Sequence, residues 1–222
     1  MEFEAGLTGP SLSTAFSELQ TNLPSYLPTI LLGALAYSAL DLAYLVTGGT
    51  GQPPMFLYSL IGMFVSLMAT AQAWQALSGH APAQPMPVGG YIVAGFVSGI
   101  ATLLGLLLLI LPGLYLLGRW SLFLAVLQGE GGSGMDSLRR SWALTERDWL
   151  AGTLVLILAA IPSFAGGMVG ILTEGQSQTT AIVAAVLGNS VAVAGAVWGS
   201  IATVALYRLI TGTVDQVQDI FG

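Results

Sequence analysis

The chain of 222 residues contains no cysteine, no lysine and a single histidine, His80. Without cysteine, disulfides, thiolate nucleophiles and cysteine metal sites are excluded. Most hydrolytic and group-transfer mechanisms use histidine, cysteine or lysine as base or nucleophile, so this chain lacks their usual parts. His80 lies in a proline-rich loop without a second histidine, and we interpret it as a solvated side chain. We therefore expect no enzymatic activity, no metal site and no cofactor.

Charged residues are equally scarce, at 7% of the chain, whereas about a quarter of the residues of a soluble domain are charged. Hydrophobic residues make up 55%. A chain of this composition cannot cover a water-facing surface, so it predicts an integral membrane protein whose main partner is the lipid bilayer. The net charge of −6 argues against nucleic acid as a partner.

Six apolar stretches approach or exceed the ~20 residues that one membrane crossing requires. They cover residues 26–46, 55–77, 91–111, 114–128, 150–172 and 180–210, with polar turns at 47–54 and 173–179. The pattern predicts an all-α fold, a polytopic helical bundle with six spans that forms a single membrane domain over residues 1–222.

The longest apolar run, from Tyr91 to Gln128, contains one charge, that of Arg119. Because 38 residues are nearly twice the length of one crossing, the run must fold back on itself. The Pro112-Gly113 pair is the helix break that we expect to supply the bend.

Two short amphipathic helices are expected to lie in the membrane interface. The first covers residues 11–23, where Leu12, Phe16, Leu19 and Leu23 follow helical spacing. The second covers residues 134–148 and begins with Ser133 and Asp136 at capping-box spacing.

The second interfacial helix has a basic face and an aromatic face. Arg139, Arg140 and Arg147 share the basic face, and Trp142 and Trp149 share the other. These five residues are candidate contacts for lipid headgroups or a partner, at about 1 kcal/mol for each arginine near an anionic surface. The simpler interpretation is that the arginines only fix the topology.

Arginine placement predicts the orientation. With six crossings, segment 129–148 and the C-terminal segment share one side, which carries Arg139, Arg140, Arg147 and Arg208, while the other side carries none. Because cytoplasmic segments carry the excess of arginine, we expect this side to be cytoplasmic, with both termini on it.

Asp41 and Arg119 are the two charges that lie more than two residues from either end of a predicted apolar span. Asp41 lies six residues before the polar turn that begins at residue 47, and Arg119 lies six residues after Gly113. Both are therefore placed about 9 Å below the same face at ~1.5 Å per residue. Equal depth and opposite charge favour an intramembrane ion pair. Two alternatives remain open: independent contact of each side chain with the interface, and a ligand site.

Three pairs of glycines have the spacing that lets membrane helices approach closely: Gly95/Gly99, Gly166/Gly170 and Gly195/Gly199. Packing within the chain is the interpretation that we favour, and a homo-oligomer interface is the alternative.

Residues 111–149 contain a Pro-Gly bend, an aromatic residue, an arginine and a Ser-Leu pair, then an acidic-glycine turn and a helix with two arginines. The residues concerned are Pro112, Gly113, Tyr115, Arg119, Ser121, Leu122, Glu130, Arg139, Arg140, Ser141, Trp142, Leu144 and Thr145. This stretch resembles the glycerophosphoryl diester phosphodiesterase membrane-domain family. One departure is Glu146, which stands where a basic residue often follows the Leu-Thr pair.

The resemblance implies a six-helix bundle of a bacterial inner membrane but no activity. The family takes its name from proteins in which this domain is fused to a separate catalytic barrel with paired histidines and metal-binding carboxylates. This chain has neither the length nor the histidines for such a barrel.

Two functions follow from these observations. The first is a non-enzymatic, membrane-embedded interaction or assembly module, with a protein partner or a homo-oligomer left open. The alternative is a small transporter or lipid-handling protein with Arg119 in an anionic-ligand cavity.

Overall fold

The computed structural model describes residues 8–46, 55–172 and 177–221, and within them every regular element is a helix. The helices are α1 (Thr8–Val46), α2 (Met55–Ser78), α3 (Val88–Leu108), α4 (Ile110–Arg119), α5 (Phe123–Gly129), α6 (Gly134–Leu144), α7 (Trp149–Leu172) and α8 (Gln178–Phe221). Six helical stretches are long and apolar enough to cross a membrane. The predicted all-α bundle with six spans is confirmed, and the chain is a multi-pass membrane protein. The predicted turn 47–54 and residues 173–176 of the second turn lie outside the described residues.

Helix α8 is the central element, because it packs against α1, α2 and α7. Val193, Val197 and Ile201 recur at every fourth position and are almost completely buried, as one face of a core helix requires. Residues 201–207 are buried without interruption. The part of α8 from Val193 to Tyr207 is therefore largely enclosed by its neighbours.

Helix α1 combines two elements that the sequence predicts as separate helices. The predicted interfacial helix 11–23 and the first span form one helix with a kink at Asn22 (φ −112°, ψ 20°), just before Pro24 and Pro28. Pro24 explains the kink because it donates no backbone hydrogen bond and its ring displaces the preceding turn. Before the kink, Leu12, Ala15 and Leu19 pack on the protein core, while Phe16 is 58% exposed. This segment thus contacts the bundle along one face.

The turn between the third and fourth spans lies at Leu109 rather than at Pro112-Gly113. Leu109 has extended backbone (φ −160°, ψ 139°), and α4 begins at the next residue. Pro112 falls in the first turn of α4, where the missing N–H has no helical acceptor anyway. Gly113 allows α4 to return closely along α3, since a Cβ there would lie 2.6 Å from the Leu106 nitrogen.

The fourth span is interrupted by residues 120–122, which separate α4 from α5. Gln128 then fixes α5 in place: its side chain is fully buried, and Nε2 donates to the carbonyls of Leu67 (2.9 Å) and Pro85 (3.0 Å). A buried amide with two such bonds joins α5 to both α2 and the loop that follows α2.

Candidate functional site

The two intramembrane charges do not form the predicted ion pair. Among the described residues, Asp41 accepts hydrogen bonds from Tyr58 and Asn189, while the Arg119 guanidinium lies over the ring of Trp142. The described residues include the ion pairs Arg139–Asp136 and Arg140–Glu130. The prediction of an Asp41–Arg119 pair is therefore wrong.

The two side chains lie toward opposite ends of the bundle, which explains why they do not meet. Asn189, the partner of Asp41, lies next to Gly188, which packs against Gly166 of α7. Gly118, next to Arg119, packs instead against Trp149 at the start of α7. The two positions on α7 are separated by about 25 Å at a rise of ~1.5 Å per residue. The equal-depth estimate fails because the chain turns at Leu109 and α4 then runs back toward the α6 end.

Asp41 is the centre of a polar cluster that joins α1, α2 and α8. The amide of Asn189 donates to Oδ2 of Asp41 at 2.8 Å and contacts Oγ of Ser38 at 3.3 Å. The hydroxyl of Tyr58 donates to Oδ1 of Asp41. A carboxylate offers about four acceptor positions, so two donors leave it with unused capacity.

Two cavities flank this cluster. The first is a groove of about 270 Å³ between α1 and α8, with Asp41 and Ser38 among walls of leucine, isoleucine, valine and alanine. The second, of about 280 Å³, is lined partly by Tyr37, Tyr58 and Asn189. Tyr37 stacks on Tyr58 with ring centroids 5.4 Å apart. Arg119 does not line either cavity.

Arg119 lies in an aromatic environment at the other end of the bundle. Only 4% of it is exposed, and its guanidinium carbon is 4.3 Å from the Trp142 ring centroid and 5.6 Å from that of Tyr115. Tyr115 makes edge contacts with Trp142 and Trp149. The negative π-faces of these rings attract the guanidinium cation, and such a cation–π contact contributes about 0.5–2 kcal/mol. The Nε of Arg119 has no hydrogen-bond partner among the described residues.

The backbone of Arg119 is bound by Ser141 of α6 and by Thr145, the residue that follows α6. Oγ of Ser141 and Oγ1 of Thr145 both donate to the Arg119 carbonyl at 2.9 Å. Ser137, Ser141 and Thr145 are buried and recur at every fourth position. That spacing is the signal in the sequence for a polar helix face that packs closely.

The predicted basic face of α6 is exposed but largely neutralised. Arg140 binds the carboxylate of Glu130 at 3.1 Å and 3.2 Å, and Tyr207 donates to the same carboxylate at 2.7 Å. Arg139 lies 3.9 Å from Asp136. Segment 129–148 holds three arginines and four acids, Glu130, Asp136, Glu146 and Asp148, so its net charge is −1. Strong attraction to anionic lipid is not expected from such a segment.

The predicted N-cap of α6 is confirmed. Oγ of Ser133 accepts a hydrogen bond from the Asp136 amide at 3.2 Å and donates to Oδ2 of Asp136 at 2.6 Å. These bonds with Ser133, and secondarily the charge of Arg139, hold the pKa of Asp136 below its ordinary value of 3.8. Asp136 therefore stays ionised at the positive end of the helix dipole.

His80 is exposed, and its Nδ1 lies 2.9 Å from the Ser78 carbonyl oxygen. Within the described ranges, no group of three histidine, cysteine, aspartate or glutamate side chains has the geometry to hold a metal ion.

The predicted glycine pairs divide into two classes. Gly195 packs on Pro162, Gly199 on Ala159, and Gly166 on Gly188. These contacts join α7 to α8 within the chain. A Cβ added at Gly95 or Gly99 would meet nothing within 4 Å, so that pair does not serve packing within the described part of the chain.

No family model, no curated protein and no solved structure matches this chain.

Proposed function

We propose that this chain is a non-enzymatic membrane protein that acts as an assembly module and docks a transmembrane helix of a partner in the groove between α1 and α8. The observation that carries the proposal is the position of Asp41, an acidic side chain at the wall of an apolar groove inside a predicted span. Ionisable groups in such places are expensive and mark functional sites in membrane proteins.

The shape of the groove supports a helix as its occupant. Ala39, Ala181 and Ala185 belong to its lining, and Leu42 and Ile182 add larger side chains. Small residues let a second helix approach closely, and larger side chains beside them provide the van der Waals contacts that drive helix association in lipid.

The distribution of arginine supports the orientation that goes with this function. The α6 end, which carries the arginines, faces the cytoplasm in the proposed topology, and the Asp41 groove then opens toward the outer half of the bilayer. The resemblance of residues 111–149 to the glycerophosphoryl diester phosphodiesterase membrane-domain family supports a bacterial inner membrane as the location. Membership of that family is part of the proposal.

A small transporter is the second candidate, and the cavities on both sides of the Asp41–Asn189 contact favour it. Its binding site would then be Asp41 rather than Arg119, because Arg119 stacks on aromatic rings and lines neither cavity. Broken helices near the membrane midplane are typical of transporter sites. The break at Leu109 belongs to the α3–α4 hairpin, and Leu109 lines neither of these cavities.

Photocrosslinking from the groove tests the docking function. A benzophenone amino acid replaces Ile182, which lines the groove and is 36% exposed, and in a control it replaces Leu107 of α3, which is 73% exposed. In native membranes we expect one discrete, stoichiometric protein adduct from position 182 and lipid adducts from position 107.

A groove-filling variant makes the test specific. Ala185→Leu places a larger side chain in the groove, so the adduct from position 182 should disappear while the protein still reaches the membrane. Lipid adducts alone at position 182, or a protein adduct that Ala185→Leu leaves unchanged, would rule out docking in this groove.

A further inference from the structure

Every basic side chain of the protein lies toward one end of the bundle, away from Asp41. Arg139 and Arg140 belong to α6, and Arg147 lies three residues after its end. The carbonyl of Arg119 accepts a hydrogen bond from Ser141 of α6. The remaining two basic side chains are those of Arg208, which follows Tyr207 in the chain, and His80. The ring centroid of His80 lies 6.4 Å from that of Trp74.

Tyr207 places Arg208 and His80 at the α6 end of the bundle. Its hydroxyl donates to Glu130, which binds Arg140 of α6. Its ring centroid lies 5.2 Å from that of Trp74, the neighbour of His80. Asn189, which binds Asp41, lies about 27 Å away from Tyr207 along α8 at ~1.5 Å per residue. Segments 1–79 and 148–207 contain no arginine, lysine or histidine at all. The half of the bundle around Asp41 is therefore free of cationic side chains.

The negative charge of Asp41 thus has no cationic partner that the chain itself can supply. Tyr58 and Asn189 donate hydrogen bonds to the carboxylate but bring no charge. A half-buried carboxylate without a counter-charge at an apolar wall is costly in lipid. A cation that offsets this charge would have to come from outside the chain.

We infer that the partner helix docked in the α1–α8 groove carries a lysine or arginine at the depth of Asp41. This inference rests on the proposed function and specifies the chemistry of the partner. The apolar walls of the groove contact the body of the helix, and Asp41 provides the single charge that the basic side chain binds. A small hydrated cation would leave these walls uncovered.

A second copy of this chain does not satisfy the same requirement. In a parallel arrangement, the copy would bring its own cation-free half to the groove. An antiparallel arrangement would place its arginines on the wrong side of the membrane. The partner is therefore a different chain.

Synthetic transmembrane peptides test this inference with the purified protein in phosphatidylcholine vesicles. One peptide has an apolar leucine-alanine core with a single lysine five residues from its outer end, which matches the position of Asp41 before the end of α1 at Val46. The control peptides carry leucine at that position, or carry the lysine five residues from the opposite end. Binding is measured by energy transfer between a label on the peptide and a label on the protein.

We expect the matched lysine peptide to bind the wild-type protein about tenfold more tightly than either control, a difference of about 1.4 kcal/mol. Asp41→Asn should remove this preference, because it keeps the shape of the side chain and loses the charge. Asp136→Asn, a matched change at the α6 end, should keep it.

Equal binding of the three peptides to the wild-type protein would overturn the inference, whether or not Asp41→Asn folds. So would a preference for lysine that survives in folded Asp41→Asn, or displacement of the peptide when phosphatidylethanolamine replaces phosphatidylcholine. In the last case the cationic occupant is a lipid amine. If these peptides fail while the protein adduct from position 182 persists, the assembly function stands and only the chemistry of the partner is wrong.

Discussion

The amide of Asn189 donates to the carboxylate of Asp41 at 2.8 Å and so joins α8 to α1 between residues 148 positions apart in the chain. Both ends of this bond lie in segments without any basic residue. The contact fixes the orientation of a carboxylate at the wall of an apolar groove. It therefore links the packing of the bundle to its proposed docking site.

The separation of the two intramembrane charges predicts that Asp41 and Arg119 act independently. Arg119→Leu should destabilise the protein by about 0.5–2 kcal/mol, because it removes the cation from the Trp142 ring. With Asp41→Asn as the second change, the effects should add to within about 0.5 kcal/mol. Unfolding of the four proteins by detergent titration measures the coupling, and a coupling energy well above that value would mean that the two side chains interact.

Gly118 is predicted to be essential for the contact between α4 and α7. A Cβ at this position would lie 2.1 Å from the Trp149 carbonyl oxygen and 2.3 Å from Oγ1 of Thr153. Gly118→Ala should therefore cost about 1–3 kcal/mol through overpacking. The matched control is Gly99→Ala in α3, where a Cβ meets nothing within 4 Å and the better helix propensity should stabilise by up to about 1 kcal/mol. Equal stabilities of the two variants would contradict this account of the α4–α7 contact.

The cap of α6 predicts a pH dependence at the acidic end. Because the pKa of Asp136 lies below 3.8 in the folded protein, its contribution to stability is fully present above that pH and is lost as the pH falls through the lowered folded value. Ser133→Ala removes the largest cause, so the pKa of Asp136 should rise toward 3.8, while Ser133→Thr should keep it low. A carboxyl ¹³C NMR titration measures both, and an unchanged pKa in Ser133→Ala would contradict the assigned cause.

The sequence predicts the features of this fold that depend on local chemistry. Run length and hydropathy are sufficient to place the six spans, because each helix must satisfy its own backbone within the lipid. The Ser133 cap follows from a spacing of three residues. The break near Pro112 is also anticipated, but its position at Leu109 is not, since leucine has no preference for a turn and proline fits the first turn of a helix.

The candidate site depends on contacts between distant segments, and the sequence does not predict them. Opposite charges at matched predicted depths suggest a pair of Asp41 with Arg119, whereas an amide and a tyrosine hydroxyl bind the carboxylate instead. No hydropathy pattern distinguishes Asn189 as its partner. The buried Ser141 and Thr145 carry a signal in their four-residue spacing, but polar residues on an amphipathic helix are ordinarily assigned to its solvated face.

The thermal stability of the isolated protein in detergent tests most directly whether Asp41 is retained for a contact outside the chain. Asp41→Asn can still accept the bond from Tyr58, and Asn189 can turn its amide to complement the new side chain. Gln128→Leu provides the destabilised reference, because it removes a fully buried amide that donates to the carbonyls of Leu67 and Pro85. This loss should cost about 1–3 kcal/mol. We predict that Asp41→Asn unfolds at the wild-type temperature or higher while losing its preference for the lysine peptide. A fall of more than about 4 °C, equivalent to at least ~1 kcal/mol for a chain of this size, would mean that Asp41 is kept for the stability of the bundle itself.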